Sequence, residues 1–248
     1  MRMYEFGREN EKGILLLHGA GCTYRMWTPQ IKELRKTYHV YAPTISGHEK
    51  GDVDFLSSAE EAKKILTWFE ENGHKKIVAI CGVSLGAHVA AELLQRKNDF
   101  AEYAMIESIK AYRYKGLALK IFSHIGKLIL KKCANTKGYM AGMYKKEYAS
   151  RDSKNTIHIM SERSLDNIMI ESGQYRIKDM PRAICAKTII LYGEKEKREC
   201  LLNTKILSKQ IFNCKVVEIK GFRHGELAIG NPKRHLEYFN ELVSKEPK

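Results

Sequence analysis

The 248-residue sequence predicts an α/β fold, a mostly parallel central sheet flanked by helices with a helical segment inserted in it. Three observations predict it. Short apolar runs alternate with amphipathic stretches of helical period, the pattern of βαβ units. The alternation stops at about Ala111 and resumes at Lys187, which leaves a helical, basic, tyrosine-rich stretch between the halves. Finally, the strand pattern Ile77–Cys81 passes without a loop into an alanine-rich helical pattern through Gly82-Val83-Ser84-Leu85-Gly86.

Taken in order, Met3–Phe6 suits a short edge strand and Gly13–Leu17 a buried one, which runs into His18-Gly19-Ala20-Gly21. A helix is expected over Trp27–Lys36 and a strand over Tyr38–Ala42, ended by Pro43. Ser57–Asn72 carries the signals of a capped helix. Serine stands at the cap, glutamates follow it, Ala62, Ile65, Leu66 and Phe69 share a face, and Gly73 lies past the end. The elbow strand and its helix, Ser84–Lys97, come next, followed by a strand at Glu102–Ile106. After the insertion the pattern gives a strand at Lys187–Tyr192, a helix at Leu201–Ile211, a strand at Lys215–Ile219 and a final helix at Pro232–Val243. The expected organisation is a core of residues 1–110 and 181–248, with a helical insertion over 111–180 entering after the fourth or fifth main strand.

Composition narrows the function classes. With 44% hydrophobic and 29% charged residues the chain is globular, and no run of eighteen apolar residues exists to span a membrane. The opening residues are too polar for a signal peptide, and the six cysteines form no C-x-x-C pair. A reduced, cytoplasmic protein without a zinc site is the expectation. The net charge of +14 is concentrated, since between Ala111 and Arg151 ten Lys or Arg face one acid, Glu147. No nucleic-acid-binding motif accompanies that charge, so no nucleic-acid partner is expected.

The chemistry starts at Ser84. A sharp strand-to-helix turn strains the serine backbone and holds its hydroxyl clear of the sheet, while flanking glycines let strand and helix approach. A serine hydroxyl needs a base to take its proton and a third group to orient that base. His224, in the loop after the last strand, is the candidate base, because loops at the carboxyl ends of parallel strands share one edge. The acid should follow another strand end. Glu196, in Gly193-Glu194-Lys195-Glu196, is preferred, with Glu107 as the alternative. The N–H groups of Ala20 and Leu85 are candidate oxyanion donors, and Gly19, Gly21 and Cys22 are candidate pocket residues. His18 is expected to brace its loop and His88 to be a packed helix histidine. No cofactor or metal site is expected.

Together these residues resemble the α/β-hydrolase fold family: a strand ending in His18-Gly19, the Ser84 elbow, an acid after Gly193 and His224 before the last helix, in the order Ser, acid, His. The resemblance implies Ser84 as nucleophile, His224 as general base, Glu196 as orienting acid and an inserted lid. Two features depart from the family pattern. Glutamate replaces the usual aspartate, and Pro43-Thr44-Ile45-Ser46-Gly47-His48-Glu49 keeps a turn but lacks the aspartate common in relatives. The implied activity is a carboxylesterase- or thioesterase-like serine hydrolase acting on a small ester-type substrate through an acyl-enzyme. The alternatives are a diketone-type C–C hydrolase using the same triad and a non-hydrolytic binding member of the fold.

In the insertion, Gly116–Lys132 reads as an amphipathic helix with Leu117, Ile121, Ile125 and Leu128 on one stripe and Lys120, His124, Lys127 and Lys131 on another. The preferred expectation is an apolar stripe buried over the pocket with solvated lysines. A membrane surface or an anionic substrate is the less favoured use of those lysines.

Overall fold

The computed structural model describes residues 1–74, 76–110, 114–135, 154–175 and 184–244. The rest of the expected insertion, 111–113, 136–153 and 176–180, lies outside the described residues.

Strands β1 (Glu5–Phe6), β2 (Gly13–Leu17), β3 (His39–Tyr41), β4 (Ile77–Val83), β5 (Ala101–Glu107), β6 (Lys187–Gly193) and β7 (Cys214–Ile219) form one seven-stranded sheet. Its order is β1-β3-β2-β4-β5-β6-β7, and every pairing is parallel except β1 with β3. From β2 the chain first crosses to β3 on one side and then returns to β4 on the other. The loops after β2 and β4 therefore diverge at a switch point, where such sheets open a crevice beyond the carboxyl ends of their strands.

Helices cover both faces. Alternate residues of β2 divide between two cores: Leu15 and Leu17 face one, Ile14 and Leu16 the other. The first core is closed by α2 (Ser58–Glu71), α3 (Leu85–Arg96) and part of α6 (Lys197–Gln210), the second by α1 (Thr28–Leu34), the short α7 (Glu226–Gly230) and α8 (Pro232–Val243). The sequence pattern located every strand of the sheet. It started α6 four residues late, because that helix begins in the charged run Lys197–Glu199, where no apolar period is visible. It gave no sign of α7, which is only five residues long.

Two helices of the insertion are α4 (Gly116–Asn135) and α5 (Glu162–Gln174). α5 belongs to the main structure, since Leu165 and Ile168 lie in the first core. The 54–58 segment is laced to it as well. Ser164 Oγ accepts from Phe55 N–H (3.1 Å), Glu171 accepts from Ser58 N–H (2.8 Å), and Asn167 donates to the Phe55 carbonyl (2.8 Å). α4 packs on α5 and not as expected. Its apolar stripe points outward, with Leu117 73% and Ile121 and Ile125 each 50% exposed, while Lys127 pairs with Asp166 and Lys131 with Glu162. The face turned away from both stripes makes the contact. Gly126 lets Met169 approach so closely that a Cβ there would lie 2.8 Å from its sulfur, and Phe122 and Leu119 lie against Gly173. Small residues on both helices selected the buried face, and hydropathy alone does not encode that choice. Among the described residues no helix is long and apolar enough to cross a membrane.

Candidate active site

The elbow is built from backbone geometry. Ser84 has φ 56° and ψ −112°, a conformation that costs a non-glycine residue on the order of 1–3 kcal/mol and persists only where its surroundings enforce it. The bracketing glycines explain how it is enforced. A Cβ on Gly86 would lie 2.6 Å from the carbonyl carbon of Leu17, and one on Gly82 would lie 2.7 Å from that of Gly86. Strand β4, helix α3 and the end of β2 thus meet at contact distances that only glycine permits. The Ser84 N–H is tied sideways, donating to the Glu107 carbonyl at 3.0 Å.

Ser84 Oγ lies 2.7 Å from His224 Nε2, and His224 Nδ1 lies 2.6 Å from Glu196 Oε2. The proton positions follow from the partners. An ionised carboxylate only accepts, so Nδ1 carries the imidazole proton and donates it to Glu196, leaving Nε2 to accept from the Ser84 hydroxyl. Burial alone would raise the Glu196 pKa. Hydrogen bonds from His224, from the Ser108 hydroxyl (2.5 Å) and from Gly193 N–H (2.9 Å) outweigh burial and hold it at about 2. His224 is shifted below its ordinary 6.5, first by burial and then by the nearby Lys110 ammonium, against the opposing pull of Glu196. At neutral pH it is therefore the uncharged imidazole that faces Ser84.

Glu107, the alternative acid, is directed elsewhere. Its buried carboxyl group accepts from Leu227 N–H (3.1 Å) and Ala228 N–H (3.1 Å), in the first turn of α7. Burial and the neighbouring Glu196 charge raise its pKa to about 8.

The loop after β2 comes against the elbow, since a Cβ on Gly19 would lie 3.7 Å from Ser84 Cβ. Two buried histidines hold that loop from behind. His18 Nε2 accepts from Ile45 N–H (2.9 Å) and its Nδ1 donates to the Gly19 carbonyl (2.8 Å). His48 Nε2 accepts from Gly21 N–H (3.1 Å). Burial pushes both pKa values down, which keeps these nitrogens available as acceptors. His18 thus braces its loop as expected, whereas His48 carried no sequence signal beyond its place in the turn after Pro43. Gly21 N–H is committed to His48. Neither Ala20 N–H nor Leu85 N–H has a hydrogen bond among the described residues, and Leu85 opens α3, where first-turn N–H groups have no intrahelical acceptor.

Cys22 is 3% exposed and packs in the second core with Met26 and Trp27. His88 is buried, stacks on Tyr175 at 4.0 Å and bonds the Lys110 carbonyl through Nε2. Among the described residues no group of three His, Cys, Asp or Glu could hold a metal ion.

The fold has counterparts among known proteins. The model of the alpha/beta hydrolase family matches residues 14–158. A protein assigned to the alpha/beta hydrolase family from Desulfitobacterium hafniense superposes with a TM-score of 0.82 at 19% identity, covering 98% of this chain and 100% of that one. A thermophilic esterase from Thermogutta terrifontis gives 0.71 at 16% identity over 98% and 93%. A structure from Nitrososphaera gargenis, from work on its carboxylesterases, gives 0.75 at 14% identity over 98% and 94%. A comparison with curated proteins finds no match. At such identities the structural likeness establishes the fold, and the family model carries the assignment. The chain belongs to the alpha/beta hydrolase family.

Proposed function

We propose that this protein is a serine hydrolase that cleaves carboxylic esters, thioesters being a close variant, through Ser84, His224 and Glu196. The observation that carries this reading is the continuous relay from Ser84 Oγ to His224 Nε2 (2.7 Å) and from His224 Nδ1 to Glu196 Oε2 (2.6 Å). In it, the neutral imidazole takes the Ser84 proton as Oγ attacks the ester carbonyl, and Glu196 stabilises the resulting imidazolium. The N–H groups of Ala20 and Leu85 receive the oxyanion, helped by the positive end of the α3 dipole. His224 then delivers its proton to the leaving alcohol, and water, activated by the same imidazole, releases the acid from the acyl-enzyme. The esterase and carboxylesterase relatives support an ester substrate. The segment 111–180 would act as the cap, α5 as its fixed wall and α4 as its outer part. The scattered cysteines, with no disulfide at Cys81, Cys200 or Cys214, suit a cytoplasmic setting.

The test is a chain-length series of p-nitrophenyl esters, run alongside fluorophosphonate labelling of wild type and Ser84→Ala. Labelling and turnover that both vanish in Ser84→Ala support the reading. A well-folded wild type that is neither labelled nor active on any ester overturns it, and turnover of a diketone instead would move the chemistry to C–C cleavage.

A further inference from the structure

Two adjacent residues at the end of β5, Glu107 and Ser108, have no place in the mechanism above, yet between them they touch Ser84, Glu196 and the residues just after His224. The Glu107 carbonyl accepts from Ser84 N–H (3.0 Å), and its side chain accepts from Leu227 and Ala228 N–H, just after the base. Ser108 Oγ donates to Glu196 Oε1 (2.5 Å) and accepts from Gly225 N–H (3.0 Å), next to His224. Its own N–H donates to the Leu191 carbonyl of β6 (2.9 Å), two residues before Gly193. Both residues are buried, and Ser108 sits at φ 57°. It shares positive φ with Ser84 alone among the described non-glycine residues. Such a conformation is unfavourable for serine and is kept where the surroundings need it. Here it lets consecutive side chains grip the α7 N-terminus and the acid.

We propose that Glu107 and Ser108 form a positioning clamp that sets the His224 loop against Ser84 and Glu196, with the Ser108 hydroxyl as the positioning residue for the acid. The inference rests on the serine-hydrolase reading. Ser108 acts through Glu196, whose Oε1 it holds so that Oε2 stays aimed at the imidazole. Glu107 acts on the other flank, fixing the direction in which the chain leaves His224. The charged and titratable groups facing His224 include Glu196, Lys110, Glu199 and His88.

The experiment compares wild type with Ser108→Ala, Ser108→Gly, Glu107→Gln and Glu107→Ala. It measures the rate of fluorophosphonate labelling, kcat and KM on p-nitrophenyl butyrate, and the pH profile of kcat/KM. Misplacement of the relay predicts that Ser108→Ala lowers kcat and the labelling rate roughly 10- to 100-fold with KM unchanged. The acid limb of kcat/KM should also move to higher pH, because a Glu196 carboxylate with one donor fewer attracts the imidazolium more strongly. A purely structural serine would not move that limb. Ser108→Gly relieves the positive φ, so it should fold at least as well, and it should show the same loss. Glu107→Gln still accepts from Leu227 and Ala228 and should lose less activity than Glu107→Ala. The clamp is overturned if Ser108→Ala and Ser108→Gly label at the wild-type rate with an unmoved acid limb, or if they lose only thermal stability. A wild type that does not label at all would instead overturn the hydrolase reading.

Discussion

Gly193 and Phe222 approach so closely that a Cβ on Gly193 would lie 2.6 Å from the Phe222 carbonyl carbon. Gly193 begins the turn that ends in Glu196, and Phe222 stands two residues before His224. The contact therefore sets the separation of the acid and base loops. Two further bonds lace the same loops, Lys195 N–H to the Phe222 carbonyl (3.1 Å) and Gly221 N–H to the Glu194 carboxylate (2.9 Å).

Replacing Gly193 with alanine should force the loops apart. Overpacking of this kind costs about 1–3 kcal/mol, and here it should also lengthen the His224–Glu196 hydrogen bond. Thermal unfolding should show a lowered Tm, and ester turnover should fall further than the stability loss explains. Unchanged turnover would mean that the loops keep their geometry without this contact.

Glu196→Gln should lower kcat on the order of 10⁴-fold while leaving the fold intact. An amide can donate to His224 Nδ1, which favours the tautomer with its proton on Nε2 and removes the acceptor that Ser84 needs. Kinetics on a p-nitrophenyl ester, with circular dichroism as the check on folding, measure this. An equal loss in Glu107→Gln would put the two carboxylates on the same footing, contrary to their geometry.

The acid limb of kcat/KM should have its midpoint below 6.5, because burial and Lys110 shift His224 down from that value. Activity then requires the neutral imidazole and is lost as the pH falls through the lowered pKa. A pH profile of ester turnover reads this directly, and a midpoint above 6.5 would contradict the environment described for His224.

Glu107 gives the opposite sign in stability. Its folded pKa, about 8, lies above the ordinary 4.5, so between those values the unfolded chain releases a proton that the folded chain retains. The native state is therefore penalised increasingly as pH rises from 4.5 towards 8. Glu107→Gln removes this term, so its Tm relative to wild type should climb over that window. Glu196, held at about 2, contributes stability above 4.5 that is lost as pH falls towards 2. Thermal melts of both proteins between pH 4.5 and 8 decide the Glu107 prediction, and a constant Tm difference would refute it.

Much of this was legible in the sequence because it is local. Strand periods of two, helix periods near 3.6 and the glycines around Ser84 are short-range properties, and they gave the sheet, the elbow and the position of His224 after the last strand. Both acids were open on that basis, with Glu196 preferred and Glu107 the alternative, since each follows a strand end. Only the tertiary structure separates them. The positive φ at Ser108 and the N-terminus of α7 take up Glu107, while the turn after Gly193 brings Glu196 to His224. Helix α4 shows the same limit. The sequence correctly separated an apolar stripe from a basic one, but which face would be buried depended on Met169 and Gly173 of a helix dozens of residues away. Periodicity states which residues share a face. The neighbour that meets that face is chosen by long-range packing, which no local pattern contains.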